Sequence, residues 1–203
     1  MEQDPRAARR EALVDAAERR IAEVGLSGLR ARDLARDLGC ALGALYSLVR
    51  DMDELVLRVG SRTLARLDAH LSAAGGETPA GSPQEATKRL AAIALAYGAF
   101  ARDNLNLWRT LFEYRLAPDA EVPEWSAQEQ LRLFRHVLGP LAGVAPNASQ
   151  AELEMMSRTL FSAVHGVYVI GLDDKLVAVP RDALDSQVEG LVRLVCAGLA
   201  APG

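Results

Sequence analysis

The sequence predicts an all-α fold, an N-terminal three-helix helix-turn-helix domain plus a C-terminal six-helix bundle, and three observations carry that reading. Apolar residues recur at helical spacing almost everywhere, with no convincing run of period-two alternation. Capping pairs such as Asp51/Glu54, Ser82/Glu85 and Ser149/Glu152 mark helix starts. Glycines at 25, 39 and 139 stand where the apolar stripes stop.

The elements follow in order. Asp4 caps a first helix with Pro5 at its first position, where a missing N–H costs nothing. Leu13, Ala17, Ile21 and Val24 form its stripe, and Gly25 ends it. A second, short helix carries Ala31, Leu34, Ala35 and Leu38, and Gly39 stops it. A third runs from about Ala41 to Val49. The Asp51/Glu54 capping box opens a long fourth helix through Leu55, Val59, Leu67 and Leu71. The stretch Ala73–Ser82 (AAGGETPAGS) reads as a linker.

Beyond it, Ser82, Pro83 and Glu85 start a helix with Leu90, Ile93, Ala94, Tyr97 and Phe100. A short helix with Leu105, Trp108 and Phe112 follows, then a loop with Pro118 and Pro123. The next helix carries Leu131, Phe134, Val137 and Leu138, ended by Gly139-Pro140. Ser149 and Glu152 cap a helix with Leu153, Met156, Leu160, Val164 and Val167. After Pro180, Leu184, Val188, Leu191 and Val195 stripe the last one. The count is about nine helices, divided into a domain over residues 1–50 and another over 51–203.

Composition narrows the class. Of 203 residues half are apolar and a quarter charged, an ordinary globular balance. Two cysteines, Cys40 and Cys196, fit neither a disulfide framework nor a metal cluster and suit a reducing cytosol. The charged N-terminus is no signal peptide, and the apolar run Thr159–Leu172 is shorter than a membrane span, so a cytoplasmic protein with no membrane partner is expected. No phosphate-binding Gly loop, nucleophile elbow or metalloprotease helix occurs, so no enzyme, cofactor or metal is expected; His165 has no second ligand at helical spacing. Net charge is −4, and residues 1–60 hold ten arginines against eleven acidic residues. Any nucleic-acid contact therefore depends on placing Arg on one face, not on bulk charge.

The segment Arg30–Val49 (RARDLARDLGCALGALYSLV) supplies that placement. Ala35 is small where two helices cross, Gly39 tolerates the positive φ of the turn, and Leu34, Leu38 and Leu45 face inward. The opposite face, with Ala41, Leu42, Ala44, Tyr46 and Ser47, is free to enter a major groove. A plain helical hairpin satisfies the same spacing.

Further residues agree. The first helix ending at Gly25, Asp33-Leu34-Ala35, Leu38-Gly39-Cys40-Ala41, Gly43-Ala44-Leu45-Tyr46 and Asp53-Glu54-Leu55 together resemble the TetR (tetracycline-repressor) family of bacterial transcriptional regulators over roughly residues 8–60. Three departures stand out. Met52 occupies a place where Lys is common, Ser47, Leu48 and Val49 one where aromatics or His are common, and Leu29 and Arg30 one where a Thr or Ser cap is common. The resemblance implies a double-stranded DNA operator as partner, with Tyr46 on a phosphate or base. Arg30, Arg32 and Arg50 are candidate phosphate contacts, and Ala41, Leu42, Gly43, Ala44 and Ser47 complete the reading surface. That surface is small and apolar, suited to thymine methyls. Arg6, Arg9 and Arg10 form an expected arm, frayed in the absence of DNA.

The resemblance also implies a C-terminal sensor for a small-molecule effector. Its candidate lining is Tyr97, Arg102, Trp108, Phe112, Phe134, Phe161 and His165, each of which also fits as ordinary core. His165-Gly166 within VHGVYVIG resembles a subfamily with a His-Gly in its sensor. Small residues in the last two helices (Ser157, Ser162, Ala163, Gly166; Gly190, Ala197, Gly198) suit a homodimer seam. The function so implied is a repressor released from its operator by a small, largely apolar ligand. The alternative is a helical ligand-binding or interaction protein with weak or lost operator recognition.

Overall fold

The computed structural model describes residues 4–75, 81–116, 123–173 and 177–200. Among them there is no strand, and ten α-helical segments run in order: α1 Pro5–Val24, α2 Ala31–Asp37, α3 Leu42–Leu45, α4 Met52–Gly75, α5 Pro83–Asp103, α6 Leu105–Glu113, α7 Glu124–Arg132, α8 Arg135–Val144, α9 Gln150–Leu172 and α10 Leu184–Ala200. A 3-10 turn, Leu26–Gly28, links α1 to α2. The all-α class is as the periodicity predicts. No described helix is long and apolar enough to cross a membrane.

The helices group into two compact units, one formed by residues 1–66 with 104–129 and the other by 67–103 with 130–203. In the first unit, Asp4 caps α1 by accepting the Arg6 N–H at 3.0 Å, with Pro5 at the first position. Leu13, Ala17 and Ile21 are fully buried, and with Leu34, Leu45, Leu55, Val59 and Leu107 they make one core joining α1, α2, α3, α4 and α6. Val24, expected in the same stripe, is 51% exposed because it sits at the last turn, beyond that core. Polar contacts add register: Arg62 on α4 meets Glu11, Asp15 and Glu18 on α1, and Arg66 meets Glu18.

In the second unit α5 packs against α8 and α10, and α9 against α8 and α10. Two glycines allow the closest approaches. A Cβ on Gly98 would overlap the Tyr168 phenol, and one on Gly171 would overlap Leu184. The buried stripe of α10 is Leu184, Val188, Val192 and Cys196, a strict four-residue repeat.

Several local expectations are corrected. The third helix is a single turn, Leu42–Leu45, not a helix to Val49; residues 46–48 form turns because Val49 is drawn into the core. The helix predicted around Leu131–Leu138 is two, α7 and α8. Gly139-Pro140 does not end the second, since burial of Leu141 and Val144 outweighs the hydrogen bond Pro140 removes. The Ala73–Ser82 linker begins later than expected, because α4 continues to Gly75; residues 76–80 and Pro118 lie outside the described residues. The Ser149/Glu152 capping box is complete. In the other two the return bond shifts by one residue: Glu54 accepts from the Arg50 N–H at 2.8 Å, and Glu85 from the Gly81 N–H at 2.8 Å.

Candidate functional site

The N-terminal site is built on one turn. Gly39 has φ +63°, and beyond its chain neighbours no atom of the described residues lies within 4 Å of where its Cβ would be, so backbone conformation selects glycine there. The Gly39 N–H donates to Arg36 O at 3.1 Å and the Cys40 N–H to Ala35 O at 2.9 Å, which reverses the chain between α2 and α3. Leu34 and Leu45 are fully buried and pin both helices to α1. Leu45 is the buried residue of α3, and its immediate neighbours Ala44 and Tyr46 project to either side of that contact. Ala41, Leu42, Gly43, Ala44, Tyr46 and Ser47 are all exposed, Tyr46 at 44% and Leu42 at 39%. The bend at Gly39 and the outward face bearing Tyr46 are thus both present.

The cations divide into engaged and free. Arg30 is the cap residue of α2, its carbonyl accepting from the Asp33 and Leu34 N–H groups at 3.0 and 3.1 Å. Its side chain and that of Arg32 are exposed and make no ion pair or hydrogen bond among the described residues. Arg50 is engaged: its Nε donates to Asp51 at 2.7 Å, and that bond raises the guanidinium pKa. Ser47 is turned to internal work, its hydroxyl donating to Ala44 O at 2.6 Å. Arg6 lies within α1 and donates from Nη2 to the Ser47 carbonyl at 2.8 Å, so the expected frayed arm is, at Arg6, a helical brace. Met52 packs against the core of this unit.

The negative net charge of this region is absorbed internally. Glu11, Asp15 and Glu18 pair with Arg62 and Arg66, Asp33 with Arg20 and Arg36, and Glu54 with Arg58. Asp53 accepts the Tyr114 hydroxyl. Each such pair is worth little to stability at the surface. Among the described residues, Arg30, Arg32 and the Tyr46 face are thus left without a carboxylate ion-pair partner.

Of the seven candidate sensor residues, four form one cluster in the second unit. His165 stacks on Phe161 (centroids 5.3 Å, 20°), Phe161 packs edge-on against Phe134 (5.6 Å) and Tyr97 (5.8 Å), and Tyr97 Oη lies 2.7 Å from His165 Nδ1. Burial pushes the His165 pKa down and favours the neutral imidazole, whose Nδ1 shares a hydrogen bond with the Tyr97 phenol. Arg102 instead clamps Asp185 in two parallel bonds of 2.8 and 2.9 Å, tying the end of α5 to the start of α10. Trp108 and Phe112 belong to the first unit, where they pack edge-on at 5.7 Å.

Three participants are not evident from the sequence: Tyr168, Asp185 and Gly98. Fully buried Tyr168 donates to Asp185 at 2.9 Å and rests on Gly98. Burial pushes the Asp185 carboxyl up, but the bonds from Arg102 and Tyr168 outweigh it and hold the group below its usual range. Burial and then Asp185 push the Tyr168 phenol up. The available signal is Gly98 itself, a helix-interior glycine next to Tyr97 that only close packing justifies.

A family model described as tetracycline repressor-like, C-terminal domain, matches residues 90–195. No curated protein matches the chain. Among solved structures, a protein of unknown function from Rhodococcus sp. RHA1 is similar at TM-score 0.73 and 24% identity, covering 95% of each chain. A TetR transcriptional regulator from the same organism gives TM-score 0.61 and 18% identity over 95% of this chain and 97% of that one. PfmR, a TetR family transcriptional regulator from Thermus thermophilus, gives TM-score 0.62 and 16% identity over 92% and 98%. These likenesses share the fold along nearly the whole chain, and the family model covers more than half of it. The chain belongs to the TetR family of transcriptional regulators.

Proposed function

We propose that this protein is a DNA-binding repressor that works as a homodimer and leaves its operator when a small, largely apolar ligand binds. The observation that carries the reading is the exposed face Ala41–Ala44 with Tyr46, held outward by buried Leu45 behind a positive-φ Gly39. It matches what a major groove admits: a short helix end with small side chains and one phenol. Residues 1–50 read DNA; residues 51–203 sense ligand and dimerise.

The dimer seam is α9 with α10. Met155 and Leu194 are 62% and 75% exposed there, and Gly166, Gly190 and Gly198 have open space where a side chain would stand. A second copy explains glycines that no neighbour among the described residues requires. Ser157, a member of the predicted small-residue stripe, is 1% exposed and belongs to the interior. The Tyr97–Phe161–His165–Phe134 cluster is the sensor: stacked rings that an apolar ligand separates, with one neutral imidazole to orient it.

Binding to the DNA flanking its own gene, measured over a salt series, tests this. A steep, sequence-dependent salt slope is expected; no binding at low salt favours a second reading, a ligand-binding protein that has lost operator recognition. That alternative draws on Met52 packed against the core and Arg50 paired with Asp51, which withdraw two backbone contacts.

A further inference from the structure

The start of α4 is poorly suited to a DNA backbone. Met52 is half-buried against the core, Arg50 is tied to Asp51 at 2.7 Å, and Asp53 and Glu54 follow at once. Within the same unit, a second surface beside Tyr46 has the opposite character. The first turns of α1 and the turn after α3 enclose an open groove of about 750 Å³, lined by Asp4, Arg6, Arg9, Tyr46, Ser47 and Leu48. Arg9 is exposed and has no ion pair or side-chain hydrogen bond among the described residues. Asp4 is the only carboxylate among those lining residues, and it accepts the backbone N–H of Arg6 at 3.0 Å.

Resting on the DNA reading above, we propose that this chain grips the backbone with α1 instead of α4: Arg6 and Arg9, with Tyr46, seat a phosphodiester in this groove. A guanidinium offers five N–H donors in a planar fork that matches phosphate oxygens. Arg6 commits Nη2 to the Ser47 carbonyl at 2.8 Å and keeps the remaining donors for an anion. It therefore has two roles. It positions the turn that carries Tyr46, and it contributes charge to the groove. Arg9, one helical turn's spacing away, contributes charge alone. The groove is far larger than one phosphate group and open at its side, which suits a strand passing through, not a trapped free ion.

The experiment measures binding of the full-length protein to the duplex flanking its gene and to a scrambled duplex, across a salt series. Arg9→Ala is expected to make the slope of log K against log salt shallower by about 1.8 on both duplexes, the value for two lost phosphate contacts, one in each protomer of the proposed dimer. Arg50→Ala is expected to leave the slope unchanged. Arg6→Ala is expected to lose both slope and sequence preference, and Arg6→Lys to restore the slope. An unchanged slope in Arg9→Ala, or a shallower one in Arg50→Ala, overturns the relocated grip while the DNA reading stands. Wild-type protein that binds neither duplex overturns the DNA reading itself. Inorganic phosphate that shifts the melting of the wild type and Arg9→Ala identically, at matched ionic strength, is the expected result. Selective stabilisation of the wild type would instead make the groove a free-phosphate site and overturn the proposal.

Discussion

Tyr168 lies against Gly98 so closely that no side chain fits between them, and its hydroxyl donates to Asp185 at 2.9 Å. The contact joins α5, α9 and α10 at a single fully buried phenol. Gly98→Ala therefore overpacks this junction. It is expected to cost about 1–3 kcal/mol, read as a lowered melting temperature, even though alanine is the better helix former. A variant as stable as the wild type would mean that Tyr168 moves aside freely.

Acidity acts on the Tyr97–Phe161–His165–Phe134 cluster through His165. Burial lowers its pKa in the folded protein below 6.5, so the unfolded chain takes up the proton first as pH falls. Its contribution to stability is present above pH 6.5 and is lost as pH drops through the folded value. The carboxylates Asp68 and Asp185, held down by His136 with Arg135 and by Arg102 with Tyr168, act in a separate window below 3.8. Melting of His165→Phe, which keeps a ring against Phe161, is expected to flatten the upper window and spare the lower. Identical profiles for both proteins would remove His165 as the cause.

The turn at Gly39 is testable by backbone chemistry alone. Its surroundings are empty, so Gly39→Ala meets no clash and carries only the cost of φ +63°, about 1–2 kcal/mol. Asn, which tolerates that region, is expected to lose less. Equal melting of the Ala and Asn variants would show that the turn relaxes elsewhere.

At the proposed dimer seam, Leu194→Arg places charge where an apolar side chain is 75% exposed in the single chain. Folding is expected to be unaffected and dimerisation weakened about tenfold or more, roughly 1.4 kcal/mol, by sedimentation. An unchanged dimer would move the seam off this face of α10.

Much of this architecture was legible because its signals are local. Asp4, Ser149 and Gly39 act through their own backbone neighbours, and each performs its predicted task. The failures are tertiary. Pro140 reads as a helix end, yet burial of Leu141 and Val144 carries α8 through it. Val49 reads as part of a helix and is instead captured by the core of the first unit. The pairing of Arg102 with Asp185 is likewise not legible, because nothing in the sequence links two positions more than eighty apart. Pattern reveals which face is apolar; it does not reveal which distant carboxylate a surface arginine will meet.

The role of Tyr46 bears most directly on the regulator reading. It is 44% exposed beside buried Leu45 and lies outside the core cluster of the first unit, so Tyr46→Ala is expected to leave that core intact. The measurement is the affinity of that variant for the DNA flanking its own gene, alongside its melting temperature and dimer content. Near-normal melting and dimerisation with operator affinity reduced tenfold or more, about 1.4 kcal/mol, is the predicted result. Operator binding equal to the wild type would contradict the account, because the exposed face of α3 would then not be the surface that meets DNA.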